Sequence, residues 1–93
     1  MDLKLNDKTY VASAVKARMF RKAIEISEKI NFEKMKAKDL DELIDFIVEL
    51  YGKQFTRDDL YDGLPAEKLT STLSESINGI VSGVAEKIES KNE

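Results

Sequence analysis

Apolar residues recur at spacings of three and four in three stretches of this 93-residue chain, and that period commits most of it to amphipathic helix. In the first stretch Val15, Met19, Ala23, Ile26 and Ile30 form a stripe, widened by Phe20 and Ile24. In the second, Leu40, Leu43, Ile44, Ile47 and Leu50 or Tyr51 do the same, while Phe46 and Val48 lie off the stripe and imply burial on a further side. The third runs through Leu69, Leu73, Ile77, Ile80, Val84 and Ile88. The spacing predicts helices over 14–30, 39–51 and 65–89.

Ahead of them the period drops to two. Leu3-Lys4-Leu5, the pair Asn6-Asp7, then Lys8-Thr9-Tyr10-Val11 read as a hairpin within residues 1–12. Asn and Asp tolerate the left-handed angles that a two-residue turn needs. A lone hairpin is marginal in water, so it must pack on the helices or join another chain's sheet. The expected fold is mainly α (α+β), one domain over 1–93, with an N-terminal β-hairpin followed by three to four helices packed as a small bundle.

The joints between these elements are dense in polar residues. Ser13 can cap the first helix, and Glu25 and Lys29 stand in the favourable order for an ion pair along it. Asp39 with Glu42 has the form of a capping box, and Gly52 is a natural C-terminal stop. In LYGKQFTRDDLYDGLP, Thr56 suits the N-cap of a short helix over 57–62, with Asp58 and Asp59 in its first turn. Phe55 and Leu60 can staple that turn, Asp62-Gly63 ends it, and Pro65 suits the first turn of the next helix. A calcium loop built on Asp58, Asp59 and Asp62 would need alternating oxygen ligands and a terminal glutamate, which this stretch lacks.

On the last helix, Ile77, Gly79, Ile80, Gly83 and Val84 form a face for helix packing or self-association. Glycines four apart allow close approach, and a bend at Asn78-Gly79 is the alternative. Residues 90–93, SKNE, are expected to be a disordered tail.

Composition narrows the chemistry. With no cysteine and no histidine there is no disulfide framework, no thiolate, and neither the commonest general base nor the commonest metal ligand. Thr70, Ser71, Thr72, Ser74 and Ser76 have no histidine to activate them and no lysine three residues on. There is no phosphate-cradling glycine loop. No catalytic residue, metal site or cofactor is therefore expected. The opening MDLKLND does not read as a signal peptide, and no apolar run approaches the roughly 20 residues of a membrane span.

The net charge of −3 hides an asymmetry. Residues 1–22 carry six basic and two acidic side chains, a local +4, and residues 39–62 carry eight acidic and two basic ones, a local −6. Such a gradient folds away as internal pairs or favours head-to-tail association. Lys16, Arg18, Arg21 and Lys22 on the first helix are too small a basic footprint for a nucleic-acid module, so a solvated face or a protein partner is the expectation.

In order and spacing, the hairpin KLNDKTY, the helix KARMFRKAIEI, the helix DLDELIDFIVELYG and the segment QFTRDDLYDGL resemble the tail assembly chaperones of long-tailed bacteriophages and prophages of Gram-positive hosts. The resemblance covers nearly the whole chain. It implies a non-enzymatic protein of the host cytoplasm, absent from the mature virion. Such a protein binds and solubilises the tape-measure protein, helps recruit tail-tube subunits, and acts in several copies as a homo-oligomer. Arg18, Phe20, Arg21 and Lys22 are the candidates for partner contact. A small DNA-associated regulatory protein and a structural tail completion protein are the alternative roles.

Overall fold

The computed structural model describes residues 2–12 and 14–92, with side chains as far as Ser82. Two antiparallel strands, β1 (Asp2–Leu5) and β2 (Lys8–Val11), are followed by α1 (Ala17–Lys29), α2 (Ala37–Leu50), α3 (Arg57–Gly63) and α4 (Ala66–Asn92). The fold is thus a small α+β one, with the expected hairpin leading four helices.

The strand register pairs Leu5 with Lys8 and Leu3 with Tyr10, leaving Asn6-Asp7 as the two-residue turn. Of that pair only Asn6 takes a positive φ, 57°, the sign pattern of a type II′ turn with Asn in the position glycine usually fills. Leu3 and Leu5 point inward and are buried, so the hairpin packs on the helices.

The core is assembled by one face of each helix. Leu43, Ile44, Leu73, Ile77 and Leu60 are almost wholly buried. α4 packs chiefly on α1 and also on α2; α2 packs on α1 and α3; and α3 touches β1. Phe46 is buried as well, as its position off the α2 stripe implied.

Three element ends differ from expectation. α1 begins at Ala17 rather than 14, after Lys16, whose extended backbone (φ −85°, ψ 158°) makes no side-chain cap bond. The expected cap, Ser13, lies outside the described residues. The physical reason for the late start is burial: Val15 is 38% exposed, so an extra first turn would have had no core to cover.

α2 begins at Ala37, two residues early, which moves Asp39 from the cap to the third helical position. There its carboxylate accepts from the Lys36 backbone N–H at 3.2 Å, while Glu42 accepts from Lys29 Nζ at 3.2 Å. Asp39 and Glu42 therefore do not form a box together. Glu25 likewise bonds Arg21, one turn back, and Lys29 is spent on α2.

α4 runs without interruption through Asn78-Gly79 and on to Asn92, so the tail expected at 90–93 is helical as far as that residue. A glycine inside a helix costs about 1 kcal/mol against alanine, and the burial of Ile77 and Ile80 on either side outweighs it.

The segment between α2 and α4 is local punctuation. Gly52, at φ +68°, donates to the Glu49 carbonyl at 3.0 Å, and Lys53 donates to that of Val48 at 2.9 Å. These are the two bonds of a Schellman stop. Thr56 then caps α3: its Oγ1 accepts from the Asp59 N–H at 3.1 Å, and the Asp59 carboxylate accepts from the Thr56 N–H at 2.9 Å. The Thr56 backbone N–H, and after it the Thr56 side chain, hold the Asp59 carboxyl below its ordinary range. Phe55 and Leu60 flank the cap and are both buried, and α4 starts one residue after Pro65. Replacing Thr56 with alanine should cost about 1 kcal/mol, read as a thermal midpoint lower by about 4–8 °C.

Candidate interaction surfaces

The four partner-contact candidates on α1 part company once packing is decided. Lys22 donates to Glu49 Oε2 on α2 at 2.6 Å and bridges the two helices. Arg21 pairs with Glu25 within α1 but remains 78% exposed. Phe20 is half-buried against the core. Arg18 is exposed and makes no ion pair among the described residues. It stands with Lys16 at the positive end of the α1 dipole, where no acidic residue occupies the first turn and no side chain caps the helix. Each cation so placed costs about 0.3–1 kcal/mol.

On α4, Ile77 and Ile80 are 1% and 3% exposed and hold the helix in its own bundle. Gly79 faces outward. Gly83 and Val84 lie beyond the described side chains.

Ion pairs tie the acidic half of the chain to the rest. Arg57 of α3 clasps Asp45 of α2 through two bonds, at 2.8 and 2.6 Å, and its guanidinium holds the Asp45 carboxyl below the usual range. Beside it, the Tyr61 hydroxyl donates to Asp41 Oδ1 at 2.5 Å. Burial, then the Asp41 hydrogen bond, push the Tyr61 phenol up to about 12. Because the folded value is raised above the ordinary 10, this group's stabilising effect is complete below pH 10 and is lost as pH rises from 10 towards 12. Tyr61→Phe should therefore flatten the fall in stability over that window, measured by denaturant midpoints at stepped pH.

Two grooves mark the surface. The smaller, about 190 Å³, lies between α1 and α2 on a floor of Ile26 and Phe46. Its four carboxylates, Glu25, Glu42, Asp45 and Glu49, are each already in an ion pair. The larger, about 620 Å³, runs between β1 and the first turns of α4 and closes at Gly63 and Pro65. There Lys4, Lys68 and Glu75 form no ion pair among the described residues. Sequence reasoning passed over this groove, because its walls come from segments some sixty residues apart and neither wall has a motif.

Neither groove gathers catalytic groups, and no three metal-ligating side chains cluster among the described residues. No helix there is long and apolar enough to cross a membrane. A family model described as phage tail chaperone protein matches residues 1–93, the whole chain. The chain belongs to that family. As a phage tail chaperone it acts in tail assembly. No curated protein and no solved structure matches it. For a tail chaperone, the start of α1 and the β1–α4 groove are the features of interest, since Arg18 in the one and Lys4, Lys68 and Glu75 in the other form no ion pair among the described residues.

Proposed function

We propose that this tail chaperone binds the tape-measure protein, keeps it soluble, and helps bring tail-tube subunits to it, without enzymatic chemistry. The observation that carries the reading is the family match over the full length of the chain. A long helical partner exposes apolar surface that a small helical module can cover until the tube replaces it. Several copies would be needed along such a rod, which makes self-association part of the reading. The work belongs to the host cytoplasm and leaves the chaperone out of the finished virion.

The contact we assign is the start of α1, where Arg18 and Arg21 are exposed and Phe20 is half-buried beside them. An acidic partner there would relieve the uncompensated dipole end. Lys22 contributes through its bridge to Glu49, which fixes α1 against α2.

Co-expression with the tape-measure protein tests the reading. The tape-measure protein should be recovered in the soluble fraction only with this chain. The double reversal Arg18→Glu, Arg21→Glu should lower that recovery about tenfold, equivalent to about 1.4 kcal/mol, while leaving the fold intact. A tape-measure protein that stays insoluble and unbound beside the wild-type chain would remove the reading.

A further inference from the structure

The outer edge of β1 is an unfinished sheet. In a hairpin closed by a two-residue turn, the pair flanking the turn exchanges both backbone hydrogen bonds and the next pair exchanges none. Leu5 and Lys8 flank the turn, so the peptide groups of Lys4 and of its partner Thr9 point outward, to opposite edges. The outward phase is visible two residues on from Lys4: the Asn6 N–H donates to the Gly63 carbonyl at 3.2 Å. That bond is a single rung along the β1 edge, supplied by the last residue of α3. Leu64 continues it with strand-like angles, φ −107° and ψ 125°, and then Pro65 turns the chain into α4.

The rung is followed by empty space. Beyond Gly63 the 620 Å³ groove opens along β1, walled on its far side by Lys68, Thr72 and Glu75 of α4. Chain direction sets the order of charges. α4 leads away from Gly63 with rising number and β1 with falling number, so Lys4 and Lys68 lie nearer the closed end than Asp2 and Glu75. On the opposite edge the Gln54 side chain donates to the Val11 carbonyl at 2.8 Å.

We propose that the β1–α4 groove takes an extended segment of the tail-tube subunit as a third strand on β1. This rests on the recruitment role proposed above and assigns it a surface. A sheet edge recognises extended backbone, whereas the long helix of a tape-measure protein has its backbone groups satisfied internally. The side chains that form no ion pair among the described residues specify the occupant further: an acidic residue towards Lys4 and Lys68 and a basic one towards Glu75.

The register supplies a matched pair of variants. Proline is tolerated on a strand where its missing N–H would face outward. Lys4→Pro removes the outward N–H on the groove edge, and Thr9→Pro removes its counterpart on the other edge, at the same level of the hairpin. A third variant, Thr72→Trp, fills the groove from α4 without touching the strand. Binding of purified tail-tube subunit would be measured by calorimetry, with soluble recovery of the tape-measure protein in parallel.

The expected result is binding at least about tenfold weaker for Lys4→Pro and Thr72→Trp, wild-type binding for Thr9→Pro, and tape-measure recovery unchanged in all three. Equal binding by the two proline variants overturns the proposal. So does a tube subunit that does not bind the wild-type chain, or a loss confined to tape-measure recovery. In the last two cases tape-measure recovery still reports separately on the chaperone reading.

Discussion

Leu73→Ala should lower the stability of the domain by about 2–5 kcal/mol, the range for truncating a fully buried leucine. Leu73 has no exposed surface, and it sits on the α4 face that packs against α1 and α2. The lost methyl groups leave a cavity that three helices cannot close together without moving α4 off the others. For a chain of 93 residues the whole stability is about 5–14 kcal/mol, so the variant loses a large fraction of it. Urea denaturation followed by circular dichroism would show the midpoint shift. A loss below about 1 kcal/mol would mean that α4 is not held by this face.

The second large effect is expected at a residue with no side chain. A Cβ on Gly63 would come within 3.0 Å of the Leu5 Cβ and 3.5 Å of its Cα. Leu5 is buried and cannot swing aside, and the Asn6–Gly63 hydrogen bond fixes the two backbones at that separation. Gly63→Val should therefore push the hairpin away from the α3–α4 joint at a cost of about 1–3 kcal/mol, the usual range for overpacking. The damage should be local first. Amide exchange at Leu3 and Leu5 should accelerate more than at Leu43 or Ile44, because β1 loses its seat while the helices keep theirs. Uniform acceleration would instead mean that the hairpin and the bundle open as one unit.

Aromatic packing explains why the hairpin matters beyond its two strands. Tyr10 meets Phe55 edge-on with ring centroids 4.8 Å apart, and Phe55 lies 5.6 Å from Tyr51. Gln54 donates to both the Val11 and the Tyr51 carbonyls at 2.8 Å. The α2–α3 turn thus holds β2, as the α3–α4 joint holds β1. Both edges of the small sheet are anchored by joints between helices, and the open length of β1 is what remains.

Much of this was written in the sequence because the signals are local. The Asn6-Asp7 turn, the Gly52 stop and the Thr56 cap each depend on backbone groups within five residues, so the residue types at those positions carry the geometry by themselves. The helical stripes follow for the same reason: a period is a property of one segment.

What the sequence left open was settled between segments. Ser13 against Lys16 as the start of α1 turned on whether Val15 had a core to cover. Asp39 and Glu42 read as a pair until Lys29 drew Glu42 across to α1. The basic face was four equivalent cations in the sequence; tertiary packing made Lys22 a brace, while Arg21 paired within its own helix and Arg18 stayed open. Gly63 is the helix end that the sequence indicated, and its lack of a side chain also serves the approach of Leu5. Local chemistry chose the elements of this chaperone; the distances between them, which no stretch of sequence contains, decided which charges and which strand edge remain available to a partner.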